Sequence, residues 1–318
     1  MKLALDAMGG DNAPEEIVKG AVAAVKNFPC EIVLVGDENK IKNVLENEDV
    51  ENLPLTIRHA DEIISMREHP ADAVRNKKNS SIVVATELVR DGECDVVLSA
   101  GSTGAAVAAA QLILKRIHNI GRPAIATPMP TFKGVTLLLD SGANVDSKPE
   151  HLVQTAMMGA IYAENVLGKK NASVGLLNIG EEETKGNEQA KETYQLLKNV
   201  PHINFVGNAE GRDIPAGKFD VVVCDGFVGN VVLKFGEGFA YMIFALIKEE
   251  LGVMTPTVKN LIKRLDVSEY GGAPLLGVDG YCVISHGSSD AKSIYSAIGV
   301  AVDYVNSKIL ERIKAIID

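Results

Sequence analysis

The sequence lacks the marks of several common protein classes. It has no Cys-x-x-Cys pair, and its four cysteines, Cys30, Cys94, Cys224 and Cys282, stand far apart among apolar residues of expected strands or strand edges. Such cysteines fit buried free thiols in a reducing compartment. Basic residues are in deficit: 32 Lys plus Arg against 42 Asp plus Glu leave a net charge of −10. That balance repels a polyanionic backbone, so no nucleic-acid partner is expected. No secretory signal is visible, because Asp6 breaks the run Leu3-Ala4-Leu5 short of the roughly 7–15 apolar residues of an export signal. A cytoplasmic location is the expectation. The longest charge-free, apolar-leaning stretch, residues 99–114, is shorter than the about 20 residues of a bilayer span.

Chemical signatures are missing too. The six histidines show no H-x-x-x-H or H-E-x-x-H spacing, so no metal is expected, and no cofactor. There is no G-x-x-x-x-G-K-[ST], and no G-x-G-x-x-G behind the first strand, which argues against a nucleotide triphosphatase and an ordinary dinucleotide dehydrogenase. Nor does a G-x-S-x-G elbow occur, so chemistry without a covalent serine intermediate is favoured.

What is present is a chain of 318 residues, 46% hydrophobic with only 12 prolines, able to bury a large core. Short aliphatic or β-branched runs over residues 2–6, 31–35, 55–59, 95–99, 135–140, 174–178 and 220–224 read as strands buried on both faces. Helical stripes lie between them, as in Ile17, Val18, Ala21, Val22 and Val25 behind Pro14. The alternation predicts an α/β fold: a largely parallel sheet with helices on both faces and ligands at the carboxyl ends of strands. The expected organisation is one α/β catalytic unit over residues 1–318, or two lobes around a central cleft.

After Gly229 the pattern turns helical. A long apolar helix through residues 239–247, a stop at Gly252 and a new start at Thr255-Pro256 predict a helical hairpin over 229–268. Its second arm sets Val258, Leu261, Ile262 and Leu265 beside Lys259, Lys263 and Arg264, an amphipathic and locally basic face. At the C-terminus, Ala291, Ile294, Tyr295, Ile298, Val302, Val305 and Ile309 follow one helical spacing.

Polar, glycine-rich turns follow the strands. In the first, Asp6, Gly9, Gly10 and Asp11 form a candidate substrate loop, or a tight turn in which Asp11 or Asn12 caps the next helix. The turn holding Gly101, Ser102, Thr103 and Gly104 opens a helix of small residues and could receive phosphate or an oxyanion, unless Ser102 or Thr103 only caps it. Upstream, Arg75, Lys77 and Lys78 gather positive charge in an acidic protein. Lys185, with Gly186 and Asn187, could reach a phosphate or a developing oxyanion. Asp225 and Asn230 could face one crevice, or serve turn and cap. His286, beside Ser288 and Ser289, is a candidate general base or a structural hydrogen-bonder.

Taken in order, Asp6-Ala7-Met8-Gly9-Gly10-Asp11, Lys77-Lys78-Asn79-Ser80-Ser81, Ser99-Ala100-Gly101-Ser102-Thr103-Gly104-Ala105, Asp140-Ser141-Gly142-Ala143-Asn144, Asp225-Gly226-Phe227-Val228-Gly229-Asn230 and His286-Gly287-Ser288-Ser289-Asp290 closely resemble the PlsX family, the bacterial acyl-carrier-protein:phosphate acyltransferases. The resemblance implies a cytoplasmic homodimer with a fold similar to isocitrate and isopropylmalate dehydrogenases. It also implies conversion of fatty acyl-carrier protein and inorganic phosphate to acyl phosphate, for phospholipid synthesis and a downstream glycerol-phosphate acyltransferase. Under it, Lys185, Asn187, Asp225, Asn230 and His286 are the catalytic candidates, with Gly101, Ser102, Thr103, Gly104, Gly186 and Ser288 around phosphate or oxyanion. Val258, Lys259, Leu261, Ile262, Lys263 and Arg264 are candidates for membrane or carrier contact, although the stretch 251–265 is shorter than in some members. The alternatives are a coenzyme-A-dependent phosphate acetyl- or butyryltransferase and a non-catalytic membrane-associated scaffold.

Overall fold

The computed structural model describes residues 1–251, 255, 256, 258, 260 and 270–317. The chain forms two compact units, one from Met1–Asn119 with Tyr270–Asp318 and the other from Ile120–Glu269. The first leg of unit one carries β1 (Lys2–Asp6), α1 (Glu15–Val25), β2 (Glu31–Gly36), α2 (Glu38–Leu45), β3 (Leu55–His59), α3 (Pro70–Asn76), α4 (Ser81–Arg90), β4 (Val96–Ser99) and α5 (Thr103–Ala109). A π-helical turn, Ala110–Leu114, continues α5. Unit two follows with β5 (Ala124–Ile125), β6 (Thr127–Thr131), β7 (Gly134–Leu139), α6 (Pro149–Asn165), β8 (Ser173–Asn178), α7 (Glu188–Leu197), β9 (Asn204–Glu210), α8 (Asp213–Ala216), β10 (Val221–Val223) and α9 (Gly226–Leu251). The chain then returns to unit one with β11 (Ala273–Leu276), β12 (Tyr281–Ile284), α10 (Ala291–Asn306) and α11 (Ile309–Ile317).

The strands of unit one run in the order β3-β2-β1-β4-β12-β11, parallel except for the antiparallel β12/β11 pair. Leu3, Ala4 and Leu5 of β1 are fully buried, which a central strand covered on both faces requires. Unit two holds a sheet in the order β6-β7-β10-β8-β9, again parallel apart from β6/β7. The mostly parallel α/β architecture follows from the alternation of strand and helix, but the strands divide between two sheets. Strand pairing is non-local, and the sequence pattern carries no sign of that division.

Three further differences have physical causes. The stretch behind β10 opens the long helix as expected, but α9 starts at Gly226, three residues before the expected hairpin bound at 229. The C-terminal stripe is two helices, because Lys308 takes a left-handed conformation (φ 52°) between α10 and α11. Neither Asp11 nor Asn12 caps α1; the N-cap position is Pro14, which makes no side-chain cap, and the Asn12 amide is used elsewhere.

Within residues 226–250 of α9 an 18-residue window has a mean hydropathy of 1.4 and no buried residue, so the helix is long and apolar enough to cross a membrane by length and composition. Phe235 and Tyr241 are 72% and 76% exposed. The hairpin's second arm lies mostly outside the described residues, as do Lys259, Leu261, Ile262, Lys263 and Arg264. Val258 is described, half-buried, with its N–H donating to Thr255 Oγ1.

Candidate active-site clusters

In unit one, adjacent parallel strands bring three of the predicted loops to one edge. β1, β4 and β12 lie side by side, and their carboxyl ends lead into the turns of Gly9 and Gly10, of Gly101 and Ser102, and of His286 and Ser288. Beneath them lies Asp6, only 3% exposed. Its Oδ2 accepts from Ser99 Oγ at 2.7 Å, and Ser99 Oγ in turn accepts from Gly101 N at 3.0 Å. Burial pushes the Asp6 carboxyl above its ordinary range, against the pull of hydrogen bonds from Ser81, Ser99, Met8 and Gly9. A methyl group on Gly9 would stand 2.5 Å from Asp6 Oδ2 and 2.8 Å from Gly101 N, so only glycine lets the two turns meet.

The third loop is tied to the first. Asp11 N donates to Gly287 O at 2.8 Å, and Asn12 Nδ2 donates to Ser288 O and Ser289 O. His286 is exposed, and its Nδ1 accepts from Ser288 N at 3.2 Å and pairs with Ser288 Oγ at 2.7 Å. The neutral ring therefore carries its proton on Nε2. Ser102 caps α5, accepting from Ala105 N at 3.3 Å, while Thr103 and Gly104 lie exposed in the first turn. Of the upstream cations, Lys77 is spent on Glu68 (2.8 Å) and on Ile63 O, and Arg75 lies 3.9 Å from Asp72. Lys78 is exposed and pairs with no described carboxylate.

Unit two repeats the arrangement at β7, β10 and β8, whose carboxyl ends lead into residues 140–144, Asp225 and residues 179–187. Asp140, 1% exposed, collects five donors: Ile125 N, Gly142 N and Ala143 N on Oδ1, and Asn144 N and Nδ2 on Oδ2, all between 2.8 and 3.1 Å. Burial raises its carboxyl against those donors. Asp225, 8% exposed, accepts from Ser147 N at 2.7 Å and from Phe227 N at 2.9 Å, so one oxygen steadies the 140–148 loop and the other caps α9. Gln189 of α7 donates to Ser147 O and ties a third element to that loop.

The glycines of the α9 start have a steric purpose. A methyl on Gly226 would stand 2.3 Å from Asn144 O, and one on Gly229 would stand 1.9 Å from Asp140 O. The helix can approach the loop only without side chains at these two positions. Asn230 is exposed at that junction beside Gly142. One strand over, Gly186 turns with φ 95°, and Asn187 caps α7 through Ala190 N at 2.9 Å. Lys185 is exposed. Two nearby carboxylates are engaged, Glu181 with Lys218 at 2.6 Å and Glu183 with Lys198 at 3.1 Å; Glu182 lies with Lys185 against Gly180, and Lys185 forms no ion pair with a described carboxylate.

The predicted residues thus fall into two sets. Asp6, Gly9, Gly10, Asp11, Gly101, Ser102, Thr103, Gly104, Lys78, His286 and Ser288 belong to unit one, and Lys185, Gly186, Asn187, Asp225 and Asn230 to unit two. Asp140, Ser147 and Gln189 join these clusters without being among the candidate site residues that the sequence points to. The run Asp140-Ser141-Gly142 offered a signal for the first, since aspartate before small residues at a strand end marks a side-chain-closed turn. Among the described residues, Glu181, Glu210 and Asp213 stand close enough to share an ion, but Lys218 lies 3.5 Å from Asp213 and Arg212 pairs with Glu210. The chain's own cations already neutralise that group.

Comparison with known proteins gives three kinds of likeness. The profile of a family described as "Fatty acid synthesis protein" matches residues 1–312. A protein of Desulfitobacterium hafniense (strain Y51) named phosphate acyltransferase is 56% identical, with 99% of this chain and 96% of that protein covered. A phosphate acyltransferase of Pelotomaculum thermopropionicum is 54% identical over 100% of this chain and 95% of its own length. Among solved structures, a phosphotransacetylase from Streptococcus pyogenes superposes with a TM-score of 0.66 at 17% identity, covering 96% of this chain and 94% of that one. The 4-hydroxythreonine-4-phosphate dehydrogenase of Klebsiella pneumoniae gives 0.57 at 14% identity, covering 96% and 99%. At such identities these structures speak for the fold alone.

Proposed function

The chain belongs to the fatty acid synthesis protein family and, like relatives more than half identical to it, is a phosphate acyltransferase; from that premise we propose that its acyl donor is the thioester of an acyl-carrier protein, attacked directly by inorganic phosphate. A phosphate oxygen forms a bond to the thioester carbon while the carbonyl electron pair moves to oxygen. Collapse of that tetrahedral oxyanion breaks the C–S bond, and the sulfur leaves with the pair and takes a proton as the carrier's thiol. The products are an acyl phosphate and free carrier protein, and the acyl phosphate serves phospholipid synthesis through a downstream glycerol-phosphate acyltransferase.

The observation that carries this scheme is Lys185: an exposed ammonium at the carboxyl end of β8 that forms no ion pair with a described carboxylate, while Glu181 and Glu183 are held by Lys218 and Lys198. A cation left over in an acidic protein suits an anionic nucleophile or a developing oxyanion. Gly186 and Asn187 lie beside it, the turn Gly101 to Gly104 offers a second oxyanion position with Ser288, and Asp225, Asn230 and His286 orient neighbouring groups. Asp6, Gly9, Gly10 and Asp11 shape the substrate loop. Lys78 is the exposed cation left for an acidic carrier on its own patch.

The exposed apolar side of α9 suits a second copy of the chain, making the protein a homodimer in the cytoplasm. Residues 258–264 are assigned to peripheral contact with the membrane or the carrier. The deciding assay is phosphate-dependent release of free carrier protein from its palmitoyl thioester, run beside acetyl-coenzyme A. Turnover on acetyl-coenzyme A alone would replace the carrier by coenzyme A, and release without phosphate dependence would overturn the scheme.

A further inference from the structure

Lys185 stands on a loop whose composition favours looseness. Residues 179–186 include two glycines and three consecutive glutamates, and Glu181 to Lys185 are all exposed. A free loop of this kind would let the ammonium swing, or fold back on its own carboxylates. Two asparagines of adjacent strands hold it instead. Asn178, the last residue of β8, donates from Nδ2 to Lys185 O at 3.1 Å and accepts on Oδ1 from Ile179 N at 2.8 Å, so one amide grips both ends of the loop. Gly186 closes over that amide: a methyl there would stand 2.5 Å from Asn178 Oδ1 and 2.9 Å from Nδ2. Asn208 of β9 reaches across from the next strand and donates to Glu182 O at 2.9 Å, the carbonyl that also accepts from Lys185 N at 3.1 Å. Asn208 is 4% exposed, and its Oδ1 has no partner among the described residues. A polar side chain buried for a single bond adds little to stability, so the loop that receives the bond is its reason. Both grips fall on backbone carbonyls, which fixes the main chain of Lys185 and leaves the ammonium uncommitted.

We infer that Asn178 and Asn208 are positioning residues for Lys185: they preset the backbone from which its ammonium meets phosphate or the developing oxyanion, and they hold it off the three glutamates. The assignment rests on the role given to Lys185 above. Each asparagine acts through the loop rather than on substrate. A loop ordered beforehand spares the transition state the cost of ordering it.

The test is a double-mutant cycle in the full chain, with inorganic phosphate and whichever of palmitoyl-carrier protein and acetyl-coenzyme A the parent turns over. Asn178→Ser keeps an acceptor for Ile179 N but is too short to reach Lys185 O, and Asn208→Ala removes the second grip. Melting curves check that both variants are folded at the assay temperature. Each lowers kcat/KM for phosphate about five- to tenfold, the worth of one lost hydrogen bond, and leaves KM for the acyl donor within about twofold. On a Lys185→Ala background the same substitutions change kcat/KM for phosphate by less than about twofold, because no ammonium is left to misplace. Damage to the fold alone would lower activity on both backgrounds. An equal loss on both, or parental kinetics in Asn178→Ser while Lys185→Ala is impaired, overturns the positioning role. Parental turnover in Lys185→Ala itself fails the role of the lysine, and the purpose of the two grips with it.

Discussion

Two glycines of one helix give opposite predictions. Glycine inside a helix costs about 1 kcal/mol relative to alanine, so Gly→Ala normally stabilises. Gly238 of α9 has nothing within 4 Å of the position a methyl would take. Gly238→Ala is expected to gain about 0.5–1 kcal/mol. At Gly229 the same methyl would lie 1.9 Å from the Asp140 backbone oxygen, 2.9 Å from its carbonyl carbon and 3.0 Å from Cys224 Sγ. No rotamer relieves a clash with backbone, so the first turn of α9 or the 140–144 loop shifts by about 1 Å, at a cost of about 1–3 kcal/mol or more. Such a shift also pulls Phe227 N away from Asp225 and disturbs the donors around Asp140. Urea unfolding measures both variants: the midpoint rises for Gly238→Ala and falls for Gly229→Ala, with the slope unchanged. Acyl phosphate formation survives the first and collapses in the second. A Gly229→Ala protein as stable as its parent would refute the close approach of helix and loop.

Lys185→Ala should lose about 10²–10³-fold in turnover while its stability stays within about 0.5 kcal/mol, because the side chain is exposed and unpaired; near-parental turnover removes its role. Burial holds the thiols of Cys94 and Cys282 up to about 11 and about 12, so a thiol reagent at pH 8 meets fewer than about one thiolate in a thousand at either position. Reaction should wait for urea, and rapid labelling of the native chain would contradict that burial. Asp6 carries a folded-state pKa above its unfolded value of about 3.9, so its contribution to stability falls as pH rises through that window. Asp6→Asn removes the fall, and its stability relative to the parent should improve from pH 4 to pH 7; a difference independent of pH would show that burial does not govern this carboxyl.

Much of the fold is legible because buried parallel strands need continuous aliphatic runs, and Leu3-Ala4-Leu5 or Val221-Val222-Val223 can be little else. Capping is legible at Ser102 and Asn187, since a short polar side chain before a helix has one obvious partner. The purpose of the two glycines that open α9 is not, because the reason they stand in a helix is the distant Asp140 loop. The convergence of turns in each unit is equally hidden, since it follows from the strand order β1-β4-β12 and β7-β10-β8, set by pairings between residues far apart in sequence. Nor does sequence show which cations are spare: Lys77 and Lys78 are neighbours, yet only the first is tied to Glu68.

The interruption of unit one also bears on how the chain is made. β4, with Val96, Val97 and Leu98 almost wholly buried in the finished protein, is flanked by β1 on one side and β12 on the other. During synthesis β1 is available at once, whereas β12 emerges only after all of unit two. At about 5–20 residues per second, the stretch from Ser99 to Ile284 takes roughly ten to forty seconds to translate. Throughout that interval the nascent protein presents an apolar strand edge awaiting its partner, the kind of surface that invites aggregation or a chaperone. Unit two, a continuous segment, has no such wait and can close while its neighbour is still half written.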